Sequence, residues 1–314
     1  MVSPMTEPAV IEIRGLHKTF TGLRRGRRVA LDGFDMAVQA GQVHGFLGPN
    51  GSGKTTTLRA LLGLVRPDDG EMFILGTPSA FYGEVAHRVG AIVESPQFFG
   101  NFSGRKTLGL LARAGGVPGE RVEEALTTVG MEQRANDLVK SYSLGMKQRL
   151  AVASALLKRP DVLILDEPNN GLDPAGIHEM RGLMRGLAAE GVTVLISSHL
   201  LSEIEQVCDS VTIISQGRRV THGPVAEVLA HNKDRRYRVE VGDIDGALRR
   251  LRDTGAQAYV EGSVLMIEGV TDPAWITQTL GEAGIWLSSL SLETPDLETV
   301  FLQLTNGLTG EVAR

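Results

Sequence analysis

Apolar and polar positions along the first part of the chain follow strand-like and helix-like periods in turn. The short apolar runs Val10–Ile13, Val29–Leu31 and Val43–Leu47 predict strands. The last run stops at a glycine-rich turn, and after Gly53 apolar residues return at helical spacing, which predicts a helix through Leu64. Strand, glycine-rich loop and helix in this order form the context that a phosphate-binding loop requires.

The alternation continues farther along the chain. Residues at about 95–160 are helical by pattern, and a helix is predicted from about Ala175 to Ala189. The other strand-like runs are Val162–Leu165, Val192–Ile196, Ser210–Ile214 and Arg218–Val220. Strands that alternate with helices indicate a mostly parallel sheet covered on both faces. We therefore predict an α/β domain over residues 1–230, with a helical subdomain at about 95–160.

The pattern changes from Arg236 onward. The predicted elements, in order, are a strand at Tyr237–Val241, a helix at Gly246–Arg252, a strand at Val264–Ile267, a helix at Pro273–Ala283, a strand at Ile285–Leu287 and a terminal helix from Asp296. This order predicts a small ferredoxin-like α+β accessory domain over residues 236–314. We expect no catalytic cluster there, and we expect Trp275 and Trp286 to lie in its core.

Composition narrows the range of functions. The chain has 314 residues, 42% of them hydrophobic and 22% charged, which is ordinary for a soluble globular protein. A net charge of -5 argues against nucleic-acid binding through bulk charge, so no nucleic-acid partner is expected. The single cysteine, Cys208, falls at helical spacing with Leu201 and Ile204. This predicts a buried structural thiol in a reducing compartment.

No apolar run in the sequence approaches the ~18–20 residues that span a bilayer, and the N-terminus lacks a basic segment followed by an apolar core. We therefore expect a cytoplasmic location, with any membrane role exerted through a partner. The basic segment Arg24–Arg28 lies in a turn between the early strands. A solvated hairpin tip is the favoured interpretation, and a phosphate- or lipid-binding role is the alternative.

The segment Gly48–Thr55 matches the P-loop pattern G-x-x-x-x-G-K-[ST]. Backbone N–H groups of such a turn, opening on a helix N-terminus, wrap phosphates, while Lys54 reaches the terminal two. Thr55 is expected to offer its hydroxyl to magnesium. The residues predicted to bind the nucleotide here are Gly48, Pro49, Asn50, Gly51, Ser52, Gly53, Lys54, Thr55 and Thr56.

Two carboxylates follow the predicted buried strand Val162–Leu165. Asp166 lies at the carboxyl edge of the sheet, where α/β proteins bind ligands, and is predicted to hold magnesium through water. Glu167 is placed to orient or deprotonate an attacking water, a role worth about 10²–10⁴-fold in rate. His199 follows the next strand and emerges at the same edge, so we predict that it senses the γ-phosphate.

With these motifs in order, residues 10–230 resemble the nucleotide-binding subunit of ABC transporters. The family's signature motif is commonly Leu-Ser-Gly-Gly-Gln, and Tyr142–Met146 looks like its counterpart, with Ser143 and Gly145 retained. The resemblance implies a head-to-tail dimer that sandwiches two ATP molecules. Ser143 and Gly145 would then touch the γ-phosphate bound to the opposite subunit, and a helix N-terminus independently favours an anion there.

The resemblance extends to further segments. Gly171–Asp173 resembles the D-loop that crosses between the two sites, which places Asp173 beside the nucleotide. Phe20 resembles the aromatic residue on which adenine stacks, a contact worth about 1–3 kcal/mol by analogy with base stacking. The implied cofactors are ATP and magnesium.

Two features depart from the common family pattern. Glu94 stands where the family's glutamine loop has Gln, and Gln97 follows three residues later. We favour Glu94 as the residue that coordinates magnesium or its water, with Gln97 as the alternative. Leu144 and Met146 replace the usual Gly and Gln of the signature, which resembles the branch that exports drugs and peptide antibiotics. A C-terminal segment like Asp296–Phe301 is also common in that branch.

The sequence thus predicts an ATP-binding and ATP-hydrolysing subunit that drives export of a drug, antibiotic, lipid or similar substrate. It would pair with a second ATPase subunit and sit on the inner face of the membrane through a separate integral membrane permease, docked at the helical region beside Glu94. A soluble ABC ATPase is the first alternative, although the chain has one P-loop and no heptad run. A P-loop kinase or GTPase is the second, and it leaves Ser143–Met146 unexplained.

Overall fold

The computed structural model describes residues 9–22, 26–94, 97–230 and 236–293, together with Leu297 and Phe301. Within these ranges the chain divides into two compact units, one through Val225 and one from Ala226. Arg24 and Arg25 of the predicted basic turn lie outside the described residues. So does most of the predicted terminal segment Asp296–Phe301.

The strands set the architecture of both units. In chain order they are β1 (Ile11–Gly22), β2 (Gly26–Val38), β3 (Val43–Leu47), β4 (Asp69–Ile74), β5 (Thr77–Pro78), β6 (Val89–Ile92), β7 (Val162–Asp166), β8 (Thr193–Ser198), β9 (Ser210–Ser215), β10 (Arg218–Pro224), β11 (Arg236–Val241), β12 (Gln257–Glu261), β13 (Val264–Glu268) and β14 (Leu287–Glu293).

Helices connect most of these strands. They are α1 (Lys54–Leu61), α2 (Tyr82–Val85), α3 (Gly104–Ala114), α4 (Glu120–Thr128), α5 (Leu144–Leu156), α6 (Pro174–Ala189), α7 (Leu201–Val207), α8 (Val225–Ala230), α9 (Ile244–Asp253) and α10 (Pro273–Gly281). Helices α3 to α5 follow one another between β6 and β7, which confirms the predicted helical subdomain.

The first unit is built on a six-stranded sheet in the order β10-β9-β3-β8-β7-β6. Neighbouring strands pair in parallel except for the antiparallel edge strand β10. All residues of β3 and β8 are buried, as are the first four of β7, because helices cover both faces. The predicted mostly parallel α/β sheet is thereby confirmed.

A second, antiparallel sheet in the order β2-β1-β4-β5 packs its apolar residues into the same core as helix α1. The hairpin β1–β2 is much longer than the two short runs that the sequence predicts. Register shifts between Ile13 and Thr19 interrupt the alternation of its side chains, and residues 26–29 are exposed, so the apolar period is lost there.

The parallel strands bring the sequence motifs to one edge of the large sheet. In the register of the sheet, Leu47 of β3 pairs with Ser198 of β8, and Asp166 of β7 pairs with Ser197 of β8. The loops that follow these three strands therefore start at the same level. These loops carry the P-loop, the Asp166–Glu167 pair and His199.

The second unit has the order β11-α9-β12-β13-α10-β14 and an antiparallel sheet arranged β12-β13-β11-β14. This is the ferredoxin-like arrangement, which confirms that part of the fold prediction. Its last strand is Leu287–Glu293, so the strand predicted at Ile285–Leu287 exists but begins two residues later and continues six residues farther. Trp286 is 77% exposed and lies outside the core, which corrects a second expectation, whereas Trp275 packs against the core cluster.

Candidate nucleotide-binding site

The P-loop joins the end of β3 to the start of α1 through a turn that glycine alone satisfies. Gly51 and Gly53 have φ angles of 81° and 119°, in the region that side chains disfavour. A Cβ on Gly48 would lie 2.3 Å from the carbonyl oxygen of Ile214. Helix α1 then begins at Lys54, so its unpaired N–H groups and its positive dipole end face the loop.

Lys54 lies buried at the base of this loop and has two partners. Its Nζ donates to the carbonyl oxygen of Gly48 at 2.6 Å and lies 3.3 Å from Oε1 of Glu167. Its side chain is 6% exposed, so the ammonium group is held in place before any ligand arrives. Ser52 Oγ, also buried, has no hydrogen-bond partner among the described residues, which leaves a free polar atom inside the loop.

Asp166 and Thr55 meet where β7 ends. Thr55 Oγ1 donates to Oδ2 of Asp166 at 2.9 Å, and Ser197 Oγ donates to the other carboxylate oxygen. Ser197 also accepts a 3.0 Å hydrogen bond from the backbone N–H of Glu167. Ser197 is completely buried on β8 and was not predicted from the sequence. The sequence signal for it is its place directly after the predicted strand Val192–Ile196 and two residues before His199, and the observed strand extends through Ser198.

Glu167 connects the P-loop to His199. Its carboxylate lies 3.3 Å from Lys54 Nζ through one oxygen and 2.7 Å from Nδ1 of His199 through the other. The backbone at Glu167 has a φ of 50°, which is unfavourable for a side chain of this size. Such strain concentrates at functional sites, where the surrounding structure holds it. Here the strained turn directs the carboxylate between two nitrogen donors.

An open cavity of about 470 Å³ lies over these groups, within the range typical of small-molecule sites. It is lined by Phe20, Thr21, Gly26, Arg28, Ala30, Asn50, Gly51, Gly53, Lys54, Thr55, Thr56, Glu167, Asn170 and His199. The Phe20 ring is 43% exposed, with Lys18 Nζ 5.4 Å from its centroid. Gly26 and Arg28 belong to the basic segment for which phosphate binding is the alternative interpretation, whereas no sequence motif indicates Thr21, Ala30 or Asn170.

Ser143, Gly145 and Asp173 do not line this cavity. Ser143 caps helix α5 by accepting a 3.2 Å hydrogen bond from the N–H of Met146, and Asp173 caps α6 by accepting one of 2.9 Å from Gly176. Both residues therefore have a local structural role as N-caps. Their predicted contact with a nucleotide requires a second subunit and stays a prediction.

Glu94 also lies apart from the cluster. Its φ is 88°, and its carboxylate, 64% exposed, forms an ion pair with Arg59 on helix α1. Gln97 is exposed, and neither residue lines the cavity. The structure thus does not bring Glu94 to Thr55 and Asp166, and its predicted role as a magnesium ligand stays a prediction.

Comparison with known proteins shows which family has this arrangement. The family profile described as ABC transporter matches residues 31–170. The chain is 37% identical, over 96% of its length and 98% of the relative's, to an uncharacterized ABC transporter ATP-binding protein, YhcH, of Bacillus subtilis (strain 168).

This chain belongs to the ABC transporter family. It is also 37% identical to the bacitracin transport ATP-binding protein BcrA of Bacillus licheniformis, over 90% of this chain and 94% of that protein. The Nod factor export ATP-binding protein I of Ralstonia nicotianae is 34% identical over 94% of both chains. This chain is accordingly the ATP-binding subunit of an ABC transporter, in the branch that contains an antibiotic transport protein.

Solved structures of the family agree with this fold. The protein cbiO1 from Clostridium perfringens, part of the ABC transporter complex cbiONQ, superposes with a TM-score of 0.65 at 29% identity, covering 72% of this chain and 93% of that one. The ATP-binding cassette MJ0796, solved as a dimer with ADP and Pi, shares the fold with a TM-score of 0.61 at 21% identity, covering 68% and 98%.

Family membership identifies the chain as an ATPase that binds ATP. The P-loop, the Glu167 cluster and the cavity are the features that suit this activity. Among the residues that the structure describes, no helix is both long and apolar enough to cross a bilayer. Cys208 is buried, and burial raises the pKa of its thiol, so the prediction of a buried structural thiol is confirmed.

Proposed function

We propose that this subunit hydrolyses ATP to drive export of an antibiotic, drug, lipid or similar amphipathic substrate through a separate membrane permease. The observation that carries the proposal is the similarity to the bacitracin transport and Nod factor export subunits over nearly the whole chain. That similarity covers the C-terminal unit as well as the ATPase unit. A soluble ABC ATPase of another kind does not account for it.

The chemistry that we propose uses the Glu167 cluster. The nucleotide lies in the 470 Å³ cavity, with its base on Phe20 and its phosphates in the P-loop beside Lys54. Glu167 accepts a proton from the attacking water at a carboxylate oxygen, and His199 orients that carboxylate through its 2.7 Å contact. Ser197 holds the two residues together, because its hydroxyl donates to the Asp166 carboxylate and accepts from the backbone N–H of Glu167.

Thr55 Oγ1 and the Asp166 carboxylate fit magnesium, because both are hard oxygen donors and lie 2.9 Å apart beside the P-loop. No group of three or more acidic, histidine or cysteine side chains suited to a metal occurs among the described residues. Magnesium needs no such group, since it keeps several waters and takes few protein ligands beside substrate phosphates. When bound, magnesium supplies positive charge that offsets the phosphate charge.

We further propose that two subunits pair head to tail, as the family resemblance implies. The N-termini of α5 and α6, capped by Ser143 and Asp173, then close on the nucleotide held by the opposite P-loop. Because ATP binds the closed pair better than the open pair, its hydrolysis shifts the population and moves the permease between access states. The permease docks on the helical subdomain, and the subunit lies on the inner face of the membrane.

Reconstitution tests this proposal. The chain is coexpressed with a candidate multi-helix membrane permease, purified as a complex and placed in liposomes, with Lys54→Ala as the matched control. We expect copurification, and we expect peptide antibiotics or lipids to stimulate ATP hydrolysis in the complex but not in Lys54→Ala. A chain that never copurifies with the membrane protein, and whose ATPase rate no such compound changes, would contradict it.

A further inference from the structure

Arg28, from the basic segment for which phosphate or lipid binding is the alternative interpretation, lies at the rim of the nucleotide cavity. It lies on β2 directly opposite Phe20 of β1 in the register of the hairpin, and both residues line the cavity. Paired residues on neighbouring strands project on the same face of the sheet. The guanidinium reaches the P-loop, where Nη2 donates to the carbonyl oxygen of Gly51 at 3.3 Å.

The charge of Arg28 is not balanced within the part of the chain that the structure describes. Arg59, Arg88, Arg105, Arg121, Arg134, Arg149, Arg159 and Arg218 each form an ion pair with a carboxylate. Arg28 has no such partner among the described residues, and its hydrogen bond to Gly51 satisfies one of its five N–H donors. A cation left unpaired at the mouth of a cavity suits an anionic ligand.

The neighbouring Arg27 has different surroundings. Successive strand residues point to opposite faces, so its side chain leaves the hairpin on the other side from Arg28, and it does not line the cavity. The charge of Arg27 instead influences the pKa of Asp68. Hydrogen bonds from Lys18 and Thr19 lower the pKa of Asp68, and the nearby charge of Arg27 contributes to the same shift. The two arginines therefore share a hairpin but not an environment.

We propose that Arg28 binds the phosphate chain of the nucleotide from the rim of the cavity, as a second cation besides the buried Lys54. The proposal rests on the proposed placement of the nucleotide in this cavity. Contact with Gly51 positions the guanidinium beside the loop that wraps phosphates rather than over the Phe20 ring. A planar guanidinium offers two parallel donors to phosphate oxygens, which the Lys54 ammonium does not.

Nucleotide titration by calorimetry of the full-length chain tests this role, with Arg28→Met compared with the matched control Arg27→Met. Methionine keeps the apolar stem and removes the charge. We expect Arg28→Met to weaken ATP binding about tenfold and Arg27→Met to change it less than about twofold. Adenosine, which lacks phosphates, should bind both variants as it binds the unaltered chain. Arg28→Lys should recover part of the affinity, because the charge returns without the planar fork.

Two outcomes would overturn the assignment while leaving the proposed function intact. The first is equal ATP affinity in Arg28→Met and Arg27→Met, with Lys54→Ala still losing affinity. The second is an equal loss for adenosine and ATP in Arg28→Met, which would place Arg28 on the base or ribose. If Lys54→Ala binds ATP as tightly as the unaltered chain, the nucleotide lies elsewhere, and the proposed site fails together with Arg28.

Discussion

The P-loop cluster and the capped starts of α5 and α6 differ in how their polar groups are bound. Around the P-loop, hydrogen bonds join distant parts of the chain, since Thr55 and Asp166 are 111 positions apart and Glu167 and His199 are 32 apart. Ser143 and Asp173 each bond only the N–H three positions ahead, in the helix that they cap. The P-loop cluster is brought together by the fold, whereas the caps of α5 and α6 are formed by local helix structure alone.

This difference indicates what each region needs in order to act. The P-loop cluster already holds a buried cation, a strained carboxylate and an oriented histidine, so one chain suffices to build it. The two helix starts carry N–H groups and dipole charge, and the structure describes no comparable network of side-chain hydrogen bonds around Ser143 and Asp173. We infer that their ligand is delivered by a second subunit.

We expect the largest effect on ATP hydrolysis from a substitution in the P-loop cluster. Glu167→Gln keeps the shape of the side chain but removes the oxygen that accepts a proton, so we expect ATP hydrolysis to fall about 10²–10⁴-fold. ATP binding should persist, because the P-loop donors are unchanged, and chromatography should show an ATP-dependent dimer. Normal turnover in this variant would remove Glu167 from the proposed role.

The second test asks whether the helix starts act across subunits. Ser143→Arg should prevent the closing of this subunit on the nucleotide of its partner. Lys54→Ala should weaken nucleotide binding in the subunit's own P-loop. Each variant alone should therefore be nearly inactive. When the two are mixed, each mixed dimer retains one intact composite site, and hydrolysis should rise several-fold above both parents. If the mixture never exceeds its parents, the site is complete within one chain and the contrast drawn above is wrong.

A third test concerns Ser197, which joins Asp166 to Glu167. Ser197→Ala leaves a buried carboxylate oxygen and a backbone N–H without their partner, at a cost of about 1–3 kcal/mol. We expect hydrolysis to fall about tenfold. The control is Ser198→Ala, whose hydroxyl bonds the backbone of Leu200 and no other group that the structure describes, and it should cost less than about threefold in rate. Equal effects would show that the strand end, rather than the Ser197 hydroxyl, matters.

We expect the smallest effect on activity from His44, which lies near the start of β3. It is away from the P-loop cluster and from the starts of α5 and α6. His44 is completely buried between Ser210 and Thr212, and burial, with a smaller contribution from His222, lowers its pKa from 6.5 to about 3. The unfolded chain therefore binds this proton first as the pH falls below 6.5. Stability linked to His44 is full above pH 6.5 and decreases by about 1.4 kcal/mol per pH unit below it.

Urea titrations between pH 7.5 and pH 5 measure this dependence. His44→Gln offers polar atoms to the same two hydroxyl groups without a titrating ring, so its stability should fall less steeply with acid. At pH 7.5 its ATP affinity should match that of the unaltered chain. The same slope in both proteins would show that another group, such as His222, governs the acid response.

Much of the fold and of the candidate site can be predicted from the sequence, because the residues that define them lie in short, continuous segments. The P-loop and the Asp166–Glu167 pair occupy short segments whose backbone course is set by glycines and a buried strand, and family membership confirms the fold and the ATP-binding function. The sequence does not indicate Ser197, and it leaves phosphate binding by the basic segment that contains Arg28 only as an alternative, because a serine at a strand end or an arginine in a hairpin has no distinctive spacing. Their importance arises only when the sheet register is known.

The direction in which a side chain points is a second property that the sequence pattern does not predict. Glu94 is the residue that we favour for the family's glutamine position, yet its φ is positive and its carboxylate pairs with Arg59 rather than with the cluster. In the second unit, the apolar run Ile285–Leu287 predicts a strand, and the strand that pairs with β11 begins at the last residue of that run and continues through Leu290 and Leu292. Serines between these leucines weaken the apolar signal, although they fit a pleated surface well.

The contact between Lys54 and Glu167 connects two parts of the proposed chemistry. In that proposal Lys54 binds phosphate and Glu167 accepts a proton from water, and their charged groups lie 3.3 Å apart. A phosphate that draws the Lys54 ammonium group toward itself would also change the charge beside the Glu167 carboxylate. Nucleotide binding and activation of water would therefore be coupled through this one ion pair.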